Sequence, residues 1–211
     1  MKKIIICTLS TLFLATIFTV YALASCKKNN GDLPHYKEIP YPTPNIEPDT
    51  VNDVQGVVLH HTAEPTVEKS LEILSSPEKK VSTHVVIDYD GTRYIMAAPT
   101  DVTWHAGRSI LGDREECNFF TIGIEFQGNT LEKPLTNDQI NSAIEYLLPL
   151  IRLYNIPMEN IVTHEMVRKT YKKKHPDSKV YNKYDITQKE YHRFIKALSE
   201  LLPEPPVRRG G

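Results

Sequence analysis

Hydrophobic positions change their period several times along the chain, and the changes mark its elements. Val57-Val58-Leu59-His60-His61 is a short β-rich run, whereas residues 66–75 carry apolar side chains at 67, 71 and 74, the spacing of one face of an amphipathic helix. Residues 83–89 and 92–96 flank Asp90-Gly91, and this predicts a β-hairpin because Asp-Gly tolerates the positive φ angles of a tight turn. Thr121–Phe126 (TIGIEF) predicts a strand whose apolar run is broken by one acid, Glu125. Thr136 and Gln139 form a capping-box pattern ahead of apolar positions 140, 144, 147, 148 and 151, which predicts a long helix to about Tyr154. Pro149 is expected to kink or shift it. Residues 160–164 read as another short strand. Thr187 and Glu190 repeat the capping pattern before a final helix through Leu202, with Tyr191, Phe194, Ile195 and Leu198 on one face. The sum is an α/β fold, a mixed central β-sheet flanked by helices, without internal repeats.

Three stretches fall outside this pattern. Lys2 and Lys3 precede an apolar run from Ile4 to Ala24, then Ser25 and Cys26, which is the layout of an export signal over residues 1–25. Leu23-Ala24-Ser25-Cys26 resembles a bacterial lipobox. That resemblance implies cleavage before Cys26, lipidation of Cys26 and anchoring of the chain to a membrane of the bacterial cell envelope, the outer membrane being the expected one. Residues 26–50 hold prolines 34, 40, 42, 44 and 48 and predict an extended tether between the lipid and a domain at 51–203. Residues 204–211 predict a disordered tail. Residues 97–118 carry Pro99, Gly107, Gly112 and the single tryptophan, and a loop of that length inside a domain is expected to be functional.

Charge then narrows the function. With 25 Lys+Arg against 26 Asp+Glu the net charge is -1, which gives no basis for nucleic-acid binding. Removing the signal takes away two lysines and leaves 186 residues at a net charge of -3. Cys26 is assigned to lipid, so Cys117 is the only remaining thiol and no internal disulfide can form.

The histidines offer chemistry without local metal-binding spacing. His60, His61, His84, His105, His164 and His175 fall at strand ends or in loops, and the chain has no H-E-x-x-H helix and no C-x-x-C pair. On the residues alone this reads as a His/Asp metal site around a strand-rich cleft with Glu125 nearby. An ordered set of blocks carries more: VVLHHTA (57–63), VSTHVVIDYDG (81–91), TWHAGRS (103–109), CNFFTIGIEFQGN (117–129), IVTHEMV (161–167) and KYDIT (183–187). Together they resemble the zinc-dependent N-acetylmuramoyl-L-alanine amidases, the type 2 amidases that are similar to peptidoglycan recognition proteins and phage lysozyme-type amidases.

The resemblance implies a zinc ion, Zn2+, held by His60, His164 and a third ligand, for which Asp185 is preferred and His175 is the alternative. Asp185 lies just before the final helix, where the family places this ligand, although it then falls 21 positions after His164. Glu125 is implied as general base, because Thr83 stands where some branches of the family carry a tyrosine. Lys183 is implied as stabiliser of the oxyanion, and Trp104, His105, Ala106 and Asn118 match substrate-groove positions. The implied function is peptidoglycan hydrolysis between N-acetylmuramic acid, with the anhydro form open, and the L-alanine of the stem peptide, by a chain expected to act as a monomer. The rival expectation is a muropeptide-binding module of the same fold without catalysis, and a wall-tethering lipoprotein is a third.

Overall fold

The computed structural model describes residues 34–179 and 185–202. The export signal, Cys26, Lys183 and the 204–211 tail lie outside the described residues. In chain order the elements are β1 (Glu38–Pro40), β2 (Ile46–Val51), β3 (Gly56–His61), α1 (Val67–Ser75), β4 (Val85–Ile87), β5 (Arg93–Ile95) and β6 (Asp101–Thr103). Then come β7 (Ile110–Leu111), β8 (Arg114–Glu115), a 3-10 turn (Cys117–Phe119), β9 (Thr121–Phe126), α2 (Asn137–Tyr154), β10 (Ile161–Thr163), α3 (His164–Lys174) and α4 (Gln188–Ser199).

Six strands form the central sheet in the order β1-β5-β4-β9-β3-β10. Contacts from β4 through β9 and β3 to β10 are parallel, whereas β4 and β5 form the antiparallel hairpin that Asp90-Gly91 predicts. Because strand side chains alternate faces, each strand supplies both sides of the molecule. Leu59, Ile87, Ile122, Ile124 and Phe126 pack against Ile140, Ile144 and Leu147 of α2 and Phe194 and Leu198 of α4. On the other face Val86 packs with Val67, Leu71 and Leu74 of α1. Val58 and Val162 pack there with Ala106, Phe120 and Val167.

The proline-rich segment is structured where a tether was expected, and the packed fold begins before residue 51. Prolines at 40, 42 and 44 alternate with donors: Tyr41 N–H bonds the Ile95 carbonyl at 2.8 Å and Thr43 N–H the Met96 carbonyl at 2.9 Å. On an edge strand only every second residue needs its N–H for pairing, so prolines of the same period leave the ladder intact. Thr43 and Asn45 are buried.

Helix α2 runs from Asn137 to Tyr154 without a break at Pro149, with the reciprocal capping box formed at Thr136 and Gln139. Pro149 lies on the exposed side, where water can serve the carbonyl that loses its partner. At Thr187 only half of the expected box forms. The Thr187 hydroxyl accepts from Glu190 N–H, but the Glu190 carboxylate accepts from Leu135 N–H and Arg193. The largest departure is α3, an 11-residue helix where a strand end and a polar insertion were expected. It buries only His164 and Val167, so no apolar period announces it. Its signals are the Thr163 cap, Glu165 in the first turn and three lysines in the last. The long loop at 97–118 is organised by β6, which pairs with β2, and by the small β7-β8 hairpin.

Candidate metal centre and catalytic cleft

Parallel strands bring the chemistry to their carboxyl ends, where open α/β sheets place ligands. His60 on β3 stands directly opposite Glu125 on β9, so both side chains leave the same face of the sheet. On the other side of β3, Thr163 pairs with Leu59, which sets His164, the first residue of α3, beside His60. The two imidazole centroids are 4.7 Å apart. Asp185, just ahead of α4, completes the group: its Oδ2 lies 3.5 Å from His60 Nδ1 and 3.3 Å from His164 Nδ1. One donor atom from each of the three lies within 4.8 Å of the others, and all three residues are buried. His175 caps the far end of α3 and bonds Glu115 at 3.0 Å, about 16 Å of helix away from His164.

The hydrogen bonds around these ligands assign their protons. The His164 Nε2–H donates to the Ala106 carbonyl at 3.0 Å, which leaves Nδ1 as a lone pair. Behind His60 a longer relay gives the same result. The Thr121 hydroxyl donates to the Cys117 carbonyl at 2.6 Å, so toward His105 Nε2–H, at 3.3 Å, it must act as acceptor. His105 Nδ1 is then the acceptor for His60 Nε2–H at 3.1 Å, and His60 Nδ1 also faces Asp185 with a lone pair. Burial, followed by the nearby His60, His84 and His164, holds His105 well below the usual histidine range, so it stays neutral and able to accept.

Asp185 is fixed as firmly. Its Oδ1 accepts the backbone N–H of His61 at 2.9 Å and of Ile186 at 3.1 Å, leaving Oδ2 for the cluster. Burial pushes its carboxyl up, but a hydrogen bond and positive charge at the facing His164 and His60 nitrogens outweigh that and hold it well below the usual carboxylate range, a part that a bound cation would take when both nitrogens present lone pairs. Two imidazole nitrogens and a carboxylate oxygen converging this closely require a cation between them, a proton or a metal ion. Two ligand bonds of about 2.0–2.1 Å at a tetrahedral angle put their donor atoms about 3.3 Å apart, which the spacings around Asp185 Oδ2 match. The residues therefore fit a two-histidine, one-carboxylate metal site.

The other residues singled out in the sequence fall into two groups. Glu125 and Trp104 line a cavity of about 280 Å³ together with Glu64, Ile73, Val81 and Ser82. Ala106, Asn118 and His105 brace the ligands. Asn118 Oδ1 accepts Ala106 N–H at 2.7 Å, and Ala106 in turn holds His164. His105 borders the cavity but is only 8% exposed, both its ring nitrogens being engaged. Gly123 makes room for it, since a Cβ there would come within 2.6 Å of the His105 ring. His61 points to the opposite face and bonds Thr130 at 3.0 Å.

Sequence reasoning gave no role to Gly123, Thr121 or Arg168. Arg168 lies one turn beyond His164 on α3. Burial lowers its guanidinium from the usual value while the charge of Asp185 works against that shift. The i, i+4 spacing from His164 was the available signal, hidden because α3 was not recognised. Cys117 is buried, with its thiol pushed up to about 11 by burial, which keeps it unreactive.

Known proteins share this fold and much of this sequence. Residues 50–179 match the family model described as N-acetylmuramoyl-L-alanine amidase. The chain is 38% identical over 90 residues to the 1,6-anhydro-N-acetylmuramyl-L-alanine amidase AmpD of Haemophilus influenzae, covering 41% of this chain and 47% of the relative. It is 29% identical over 126 residues to the N-acetylmuramoyl-L-alanine amidase AmiD of Escherichia coli, covering 53% of this chain and 45% of the relative. These matches span about half the length of those relatives. Among solved structures, an AmpD derivative superposes with a TM-score of 0.58 at 21% identity, covering 82% of this chain and 98% of the other. The amidase LysC of Clostridium intestinale gives 0.57 at 21% identity, covering 80% and 99%. The family match takes in both strand-borne residues of the centre, His60 and Glu125, as well as His164, and ends six residues before Asp185. The chain belongs to the N-acetylmuramoyl-L-alanine amidase family.

Proposed function

We propose that the protein is a zinc-dependent peptidoglycan amidase that cuts the bond between N-acetylmuramic acid and the L-alanine of the stem peptide. The observation that carries this reading is the convergence of His60, His164 and Asp185, with Glu125 set opposite His60 on the same face of the sheet. A zinc ion held by these three residues would polarise the scissile carbonyl and acidify the attacking water. Glu125 accepts a proton from that water and delivers it to the departing alanine nitrogen, as the C–O bond forms and the C–N bond breaks. On the family resemblance, the position some branches fill with a catalytic tyrosine is Thr83 here, whose hydroxyl cannot supply this acid–base step, and that favours Glu125. Lys183, two residues before Asp185, is assigned to the developing oxyanion on the family resemblance.

The anhydro-muramyl substrate is supported by the names of the AmpD relatives and by the solved AmiD complex with anhydro-N-acetylmuramic acid–L-Ala–D-γ-Glu–L-Lys. Attachment of the chain to the bacterial envelope through a lipidated Cys26 belongs to the same proposal. Mass spectrometry of digests of purified sacculi and of soluble muropeptides tests it. Free stem peptide is expected, and Glu125→Gln should slow its release by about 10²- to 10⁴-fold while bound zinc stays near one per chain. A wild-type protein that holds zinc and binds muropeptide but frees no peptide would make the chain a binding module instead.

A further inference from the structure

Residues 43–47 lie before the stretch that matches the family, yet they hold one wall of the cleft cavity in place. Asn45 is buried, and its side-chain amide donates to the carbonyls of Ser76 and Val81, each at 2.9 Å. The Thr43 hydroxyl donates to the Leu74 carbonyl at 2.8 Å. Ser82 Oγ donates to the Asn45 carbonyl at 2.6 Å and accepts Trp104 N–H at 2.7 Å. Two residues beyond Asn45, the Glu47 carboxylate accepts the indole Nε1–H of Trp104 at 3.2 Å. The antiparallel pairing of Ile46 with Thr103 in the β2-β6 ladder sets Asn45 across from Trp104 and leaves Glu47, on the same face, diagonal to that ring. Leu74, Val81, Ser82 and Trp104, all lining the cavity, are thus tied directly to this segment.

We infer that Glu47 is a positioning residue that fixes the Trp104 indole as the apolar wall on which the muramyl sugar of the substrate rests. Indole, Ile73, Leu74 and Val81 offer apolar surface, and Ser82, Glu64 and Glu125 offer polar edges. That combination suits a pyranose ring carrying an N-acetyl group, apolar on one side and rich in hydrogen-bonding groups around its rim. A half-buried indole held only by packing could rotate; one whose single donor is anchored to a carboxylate is set before substrate arrives. This inference rests on the amidase reading for its ligand and on the Glu47–Trp104 bond for its residue.

Trp104 is the only tryptophan in the chain, so its fluorescence reports this bond without labelling. The experiment compares wild type, Glu47→Ala and Glu47→Gln in the full-length protein, following indole emission, acrylamide quenching and the kinetics of peptide release from a soluble muropeptide. Glu47→Ala is expected to red-shift the emission, increase quenching and raise KM about fivefold, with kcat within about twofold of wild type. Glu47→Gln, whose amide oxygen still accepts the indole N–H, should restore all three. A Glu47→Ala protein with wild-type emission, quenching and KM overturns the inference, as does a Gln variant as impaired as the Ala variant. Should the wild type release no peptide, the amidase reading fails, while emission and quenching still decide whether Glu47 sets the indole.

Discussion

The two faces of the central sheet are built from the same strands by opposite means. Under α2 and α4 the contacts are apolar: Leu59, Ile124 and Phe126 meet Ile144, Leu147 and Phe194, and the Phe126 and Phe194 rings lie 6.1 Å apart. On the other face His60, His84, Glu125 and Thr83 are buried among groups that must be matched donor to acceptor. Burying apolar area is tolerant of detail, whereas burying polar groups succeeds only with specific partners. The face under α2 and α4 therefore carries the largest apolar cluster, while the other adds to its smaller Val58 and Val86 clusters the polar groups that can bind.

Substitutions on each face should separate these roles. The largest effect belongs to the centre. Asp185→Asn is expected to reduce bound metal from about one per chain to near zero, whereas His175→Ala leaves it unchanged, as metal analysis of dialysed protein would show. On the scaffold face Phe194→Ala should cost about 3–5 kcal/mol in a denaturant titration and leave metal per folded molecule intact. Metal lost in proportion to stability would erase the distinction between the faces.

His84 sits on the polar face but supports structure. Its Nδ1 accepts Gly123 N–H at 2.9 Å, and burial lowers its pKa to about 4. The unfolded chain takes up this proton near pH 6.5 and the folded one does not, so stability falls as pH drops from about 6.5 to about 4, by about 3 kcal/mol in total. His84→Gln should flatten that part of a stability–pH curve. The smallest effect is expected one shell out from the ligands. His105→Phe removes the acceptor for His60 Nε2–H and should weaken metal binding about 10- to 100-fold, measured by competition with a chelator, while leaving the scaffold face unaffected.

The same contrast explains what could be read from the chain. Strands and helices whose burial is apolar announced themselves: the TIGIEF strand, the hairpin at Asp90-Gly91 and α2 with its Thr136 cap follow from period and turn chemistry. Helix α3 did not, because its one-sided burial amounts to His164 and Val167. The proline-rich segment was misread as a tether because proline content was weighed and proline spacing was not. In the centre, no local pattern links His60 to Asp185, and only the ordered family blocks placed them together. The relay from Thr121 through His105 to His60 joins residues 16 and 45 positions apart by single hydrogen bonds, which no periodicity encodes.

The seating of Asp185 has a thermodynamic consequence. Its Oδ1 is caught by the backbone of β3, 124 residues earlier in the chain, so the three-residue centre is assembled only in the folded protein, and an ion held there would favour the folded state. Under the proposed metal reading, ion concentration would act on the folding equilibrium by mass action, every tenfold rise above the dissociation constant adding about 1.4 kcal/mol to the resistance to unfolding. Changes that loosen the approach to α4, far from either histidine, would then be felt as a weaker hold on the ion, and scarcity of the ion as a less stable protein.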